Sequence, residues 1–132
     1  MSDHPNAQFA RSAFDAMARG DVEWLQSHMH EDVVFHQGGR FPTAGTYRGR
    51  DAVFGHMMEF FTLVDFSMKT AVRDVAAADD KAVSLIEVSI DYQGRHLDFE
   101  EAHIWTIRDG LAQEMWAVPY DPYVVDAFFS QT

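Results

Sequence analysis

Cysteine is absent from the 132-residue chain, which excludes a disulfide framework, a thiolate metal site and a cysteine nucleophile. Positive charge is scarce: 10 Lys and Arg stand against 21 Asp and Glu, a net charge of −11. A nucleic-acid surface needs clustered cations, so no nucleic acid is expected as a partner, and the same imbalance disfavours anionic membranes. No apolar run approaches the roughly 20 residues that span a bilayer. The first residues, Met1-Ser2-Asp3-His4-Pro5, carry neither a basic nor an apolar stretch, so no signal peptide is expected and the expected location is cytoplasmic. Repeats and low-complexity tracts are missing too. What is abundant is apolar: hydrophobic residues make up 47% and aromatics 14%, enough for a sizeable core, which excludes disorder and fits one domain over residues 1–132.

Helical spacing comes first and strand alternation later. Phe9, Ala13, Phe14, Met17 and Ala18 share one face of a helix predicted over Pro5 to Arg19, with proline at its start and Gly20 at its stop. Asp21 suits the cap of a second helix carrying Trp24, Leu25 and Met29. A short strand follows over Val33 to Gln37, then a loop punctuated by Gly38, Gly39, Pro42, Gly45 and Gly49. A third helix is predicted from about Asp51 to Phe61, with Val53, Met57 and Phe60 or Phe61 inward. The Met57-Met58 and Phe60-Phe61 pairs read as core. Strands are predicted over Phe66 to Ala76, Lys81 to Tyr92, Leu97 to Ile107 and Leu111 to Val118. They are separated by turns at Asp79-Asp80, Gln93-Gly94 and Asp109-Gly110, the last a strong type I′ hairpin signal. Pro119 and Pro122 end the last strand, and Val124 to Phe129 suits a terminal helical turn. Helices followed by a meander make an α+β pattern. The strand Val83, Leu85, Ile86, Val88, Ile90 is apolar on both faces, as expected of a sheet covered on both sides.

Four groups of residues carry a resemblance over almost the whole chain. They are Ala16 to Gly20 with Asp21; His30-Glu31-Asp32-Val33-Val34-Phe35; Tyr47-Arg48-Gly49-Arg50-Asp51-Ala52-Val53; and the hairpins Asp91-Tyr92-Gln93-Gly94-Arg95 and Ile107-Arg108-Asp109-Gly110. In this order the chain resembles the nuclear-transport-factor-like (cystatin-like α+β) superfamily, nearest its SnoaL-like polyketide cyclase and ketosteroid-isomerase-like branches. The resemblance implies a cone-like curved antiparallel sheet wrapped around N-terminal helices, with a central pocket and a homodimer formed through the convex face. It also implies cofactor-free acid/base chemistry on a small apolar carbonyl compound: isomerisation, cyclisation, hydration or hydrolysis. The family's catalytic positions are largely vacant here. The isomerase tyrosine falls at Ala13, its carboxylate base at Gln37 and its protonated acid at His103. The cyclase aspartate, just after a tryptophan, falls at Ala117 behind Trp116. Arg73, Asp98 and Asp121 are of the types that an Asp-Arg-Asp epoxide hydrolase site needs.

The residues themselves favour His103, because an imidazole titrates near working pH. Glu101 shares its strand face with Phe99, His103, Trp105 and Ile107 and is placed to orient it. A regular two-residue turn at Asp109-Gly110 would pair His103 with Trp116 and Trp105 with Glu114, adding Glu114 to the catalytic set and Trp116 to the pocket. A bulge would send both to the other face, and the sequence leaves both registers open. Phe14, Met17, Phe35, Gln37, His56 and Trp105 complete the expected ligand-binding set. His56 lies where related isomerases carry an aromatic residue, and Gln37 has an amide to offer a carbonyl. No metal is expected: His28 and His30 stand two apart, a spacing that does not converge on a helix. His4, His28, His30 and His96 fall in stretches read as exposed. Ser12, Ser84 and Ser89 lack a nucleophile context. Asp121-Pro122-Tyr123 reads as part of a tail over the open end of the sheet, or as a lid. Non-catalytic readings, a hydrophobic-ligand binder or a dimeric partner-binding domain, remain the alternative to the enzyme.

Overall fold

The computed structural model describes residues 4–130. The elements are α1 (Pro5–Arg19), α2 (Val22–Ser27), β1 (Met29–Gln37), β2 (Gly45–Arg48), α3 (Arg50–Leu63), β3 (Lys69–Ala78), β4 (Lys81–Tyr92), β5 (Arg95–Arg108), β6 (Leu111–Pro119) and α4 (Pro122–Ser130). They build a six-stranded, curved, unclosed sheet in the order β2-β1-β6-β5-β4-β3, with helices on its concave side. Every strand pair is antiparallel except β1 with β6. That pair is parallel because the chain leaves β1, builds β2, α3 and the meander, and returns alongside it.

Local chemistry sets the ends. Pro5 opens α1, and Gly20, at φ 69°, closes it in the left-handed region, which costs a residue without Cβ little. Asp21 caps α2 by accepting the Trp24 amide at 3.0 Å. Alanines at 7, 10, 13 and 16 make the buried face of α1 together with Phe14. Their small side chains let the helix lie close against the sheet. Ala18, expected on that face, is exposed, because the packed stripe runs through Ala16 instead.

Several boundaries differ from those expected. Met29, expected on the second helix, opens β1, which therefore starts four residues before Val33, because α2 stops at Ser27. The glycine-punctuated loop hides β2, a four-residue edge strand in which Tyr47 pairs with Phe35. The strand expected from Phe66 begins at Lys69, because Asp65 and Phe66 both adopt positive φ, 54° and 57°, and end α3 in a turn that leaves Phe66 exposed. The terminal turn is a longer helix, α4. Arg95 Nη1 donates to the Phe128 carbonyl at 2.6 Å, and Asp126 accepts the Arg40 amide at 2.7 Å. Phe129 stacks on Phe41. Met58 points to solvent, so only Met57 of that pair faces inward. The hairpin turns at Gln93-Gly94 and Asp109-Gly110 have positive φ at both central residues, as type I′ requires.

One irregularity decides the site. Arg108 pairs with Leu111 and Ile107 with Ala112, but Thr106 pairs with Glu114. Gln113 is thus an extra residue, a bulge. From there on, Trp105 opposes Met115, Ile104 opposes Trp116 and His103 opposes Ala117. The slip turns Met115 and Ala117 to the concave face and Glu114 and Trp116 to the convex one. The buried apolar residues form one cluster on the concave side, with Ile86, Ile90, Val33 and Val53 almost fully enclosed. Among the described residues, no helix is long and apolar enough to cross a membrane.

Candidate functional site

Inside the curve lies a cavity of about 100 Å³ walled by all three long layers: α1, α3 and the concave sheet. Five of the seven methionines line it, Met17, Met29, Met57, Met68 and Met115. Unbranched thioethers repack readily, so this lining can adapt to the shape of a guest. Phe14, Phe35 and Trp105, expected at the pocket, line it, as do Gln37, His56, Glu101 and His103. Val125 of α4 also lines it. Asp121 instead accepts the Tyr123 amide outside.

Two expected members are elsewhere. The bulge carries Glu114 and Trp116 to the convex face. There Glu114 Oε2 lies 2.7 Å from His36 Nε2, and Trp116 stacks on the His36 ring at 3.8 Å and is 45% exposed. Neither reaches the cavity. The Asp-Arg-Asp set does not assemble either. Arg73 pairs with Glu87, Asp98 with Ser89 and His96, and Asp121 caps α4.

The polar centre of the cavity is His103. Its Nε2 lies 2.7 Å from Glu101 Oε1, and the two side chains are only 12% and 9% exposed. Alternation on β5 puts both on the concave face two residues apart. Phe14 packs against the imidazole with centroids 5.2 Å apart. The neighbouring Trp105 is fixed by donating from Nε1 to Ser84 Oγ at 3.0 Å. Nε2 carries the hydrogen bond to Glu101, and Nδ1 has no protein partner. Gln37 stands on the same cross-strand row: it pairs with Ala117, which pairs with His103. Its amide makes no hydrogen bond within the described protein.

The opposite wall holds His56, which is 4% exposed. Its ring stacks on Tyr47 at 4.1 Å and meets Phe35 at 5.0 Å. Nδ1 is buried without a partner. Burial lowers its pKa from 6.5 to about 4, so the imidazole is neutral at pH 7. Tyr47 donates its hydroxyl to the Thr43 carbonyl at 2.8 Å, and burial raises its pKa. His28, read from sequence as exposed, lies at another edge of the cavity, stacked on Trp24 at 3.8 Å. Nothing in its local pattern signals this, because the contact depends on how α2 docks. Among the described residues no lysine or arginine lines the cavity.

Solved structures place this architecture in a class. Bal32a, from a soil-derived mobile gene cassette, superposes with a TM-score of 0.89 at 24% identity, covering 94% of this chain and 95% of its own. A protein of unknown function with a cystatin-like fold from Xanthomonas campestris gives 0.86 at 26%, covering 94% and 97%. TerC, crystallised with polyporic acid, gives 0.84 at 21%, covering 96% and 99%. The fold is therefore the cystatin-like α+β fold. No curated protein matches the chain. The SnoaL-like domain family matches residues 10–115, and the chain belongs to that family.

Proposed function

We propose that this protein is a cofactor-free acid/base enzyme acting on a small apolar carbonyl compound, with His103 as the proton-transfer group. The observation that carries this reading is the His103–Glu101 pair, a hydrogen-bonded acid and base in a largely apolar cavity. His103 Nδ1 takes a proton from the carbon beside the carbonyl. Glu101 holds the tautomer and stabilises the imidazolium that forms. The free Gln37 amide donates to the carbonyl oxygen as negative charge develops there. The imidazolium then returns its proton to carbon or oxygen, so the reaction needs no external reductant or oxidant. TerC, of the same fold, has been crystallised with polyporic acid, which fits a small-molecule pocket. Ala13 and Ala117 offer no base, so proton transfer falls to the β5 pair.

The test is α-proton exchange in D2O, followed by NMR on ketones that shift the melting temperature. His103→Ala should lower the exchange rate by about 10²- to 10⁴-fold, the usual contribution of a positioned general base. Glu101→Gln should lower it less and move its pH profile. Ligand binding with no exchange in any ketone would leave a binding protein instead.

A homodimer through the convex face is part of the same proposal. Val83, Ile104 and Trp116 form one cross-strand row there, beside the row Leu85, Ala102 and Val118. Ile104, Trp116 and Val118 are exposed on it, an apolar surface suited to a second copy.

A further inference from the structure

We propose that His56 is a second ligand contact. On this reading its imidazole hydrogen-bonds an uncharged polar group at the far edge of the substrate, so that the pocket selects neutral molecules with polar groups at two ends. The inference rests on the pocket reading above and adds the chemistry of what fills it.

The first support is an unmet hydrogen bond. A buried imidazole nitrogen without a partner is costly, and neither ring nitrogen of His56 has a hydrogen bond within the described protein. Tyr47 stacks on the ring and Phe35 meets it tilted at 45°, and neither aromatic ring offers the nitrogens a hydrogen-bond partner. A phenylalanine would pack there without this cost. The imidazole gains a purpose if a guest supplies the missing partner.

The second support is position. His56 rests on Phe35 of β1, while His103 and Trp105 are on β5. In the row Phe35–Met115–Trp105 the strands β1 and β5 are separated by β6 alone, about 10 Å from backbone to backbone at about 4.8 Å per spacing. Side chains lean inward from both walls, so the space between the polar ends is ring-sized. The cavity volume of about 100 Å³ is below the roughly 150 Å³ that takes benzene, so a ring enters as the methionines of the lining repack around it.

The third is charge. With no lysine or arginine in the lining among the described residues and Glu101 present, in a chain of net charge −11, a carboxylate or phosphate on the ligand meets no fixed counter-charge and would lose its hydration. The polar end facing His56 is therefore a hydroxyl, carbonyl or amide.

Four single-ring probes test this at pH 6.5 by calorimetric or NMR titration: ethylbenzene, acetophenone, 4-hydroxyacetophenone and 4-acetylbenzoate. The expected order is 4-hydroxyacetophenone above acetophenone above ethylbenzene. The first two should differ by about tenfold, what one well-made hydrogen bond supplies, and 4-acetylbenzoate should bind more weakly than acetophenone. His56→Phe should erase the gap between the two ketones. In ¹⁵N spectra the wild-type His56 ring should move with 4-hydroxyacetophenone and not with acetophenone. A gap that survives His56→Phe, no gap in the wild type, or tightest binding by the carboxylate overturns the inference. If acetophenone binds and His103→Ala weakens it while His56 has no effect, only this inference falls. If no probe binds, the pocket reading falls with it.

Discussion

Acidification should expose His56 as a buried neutral base. Its pKa falls from 6.5 in the unfolded chain to about 4 in the fold, through burial. At pH 7 both states hold it neutral and no penalty arises. Between pH 6.5 and pH 4 the unfolded chain binds a proton that the folded chain refuses. Stability therefore falls as pH falls, by about 1.4 kcal/mol per pH unit and about 3 kcal/mol in all. That is a large part of the roughly 5–15 kcal/mol that holds a domain folded. His96 acts in the opposite sense. Its hydrogen bonds to Asp91 and Asp98 raise its pKa, so its contribution is present below 6.5 and is lost as pH rises through the folded value. The Asp21, Asp80 and Asp98 carboxyls are held below 3.8 and lose their contribution only at lower pH. The isolating measurement is therefore a difference. Urea unfolding followed by tryptophan fluorescence, at pH 7.0, 6.0, 5.0 and 4.5, is compared between wild type and His56→Phe. At pH 7 the variant should equal or exceed the wild type, since it removes an unpaired buried nitrogen and keeps the stacking. By pH 4.5 the wild type should have lost about 2–3 kcal/mol relative to the variant. Parallel curves, with a difference constant within about 0.5 kcal/mol, would refute the burial argument and the neutral state of His56 with it.

Two further outcomes follow from the packing. Ser84→Ala removes the acceptor of the Trp105 indole N–H and strands a buried donor. It should cost about 1–3 kcal/mol in urea unfolding, and a loss below about 0.5 kcal/mol would mean that the bond contributes nothing. The wild type should sediment near twice 15.0 kDa and Ile104→Asp as the single chain, because the added charge enters the centre of the convex apolar row; a wild-type monomer would refute the shared face.

Most of the architecture can be read from the chain, because its local signals agree with one another. The Pro5 and Gly20 bounds of α1, the Asp21 cap and the two hairpin dipeptides each name their own geometry. Strand β4 coincides with the alternating run Lys81–Tyr92 to the residue. What escaped is of two kinds. Strand β2 is four residues at the edge of a glycine-rich loop and draws its strand character from pairing with β1 rather than from its own pattern. The bulge at Gln113 is the second kind. Asp109-Gly110 fixes the turn, but nothing in Leu111-Ala112-Gln113-Glu114 announces an extra residue. That single insertion decides whether Glu114 and Trp116 serve the pocket or the outer face. His103, Glu101 and Gln37 are legible because alternation and strand ends define them. The burial of His56 is a tertiary event, set by Tyr47 arriving on β2.

The vacancies at Ala13, Gln37 and Ala117 and the presence of Glu101 beside His103 are two sides of one constraint. An acid or base in an apolar, cation-free cavity must be stabilised by something other than a counter-ion from the wall. A lone carboxylate there would be driven to its neutral form. A histidine two residues along the same strand face resolves this within one element. The two groups share a hydrogen bond whichever of them carries the charge, and they need no help from α1, β1 or β6. On the proposed reading the proton-transfer pair lies on β5 alone. Its position depends only on alternation along that strand and on the β4–β5 register, which is continuous from Lys81–Thr106 to Tyr92–Arg95. On the same reading the other walls supply shape, through the methionines, the carbonyl contact, through Gln37, and the far polar contact, through His56. Substitutions on α1 or β6 that preserve volume should alter which molecule binds before they alter whether a proton moves.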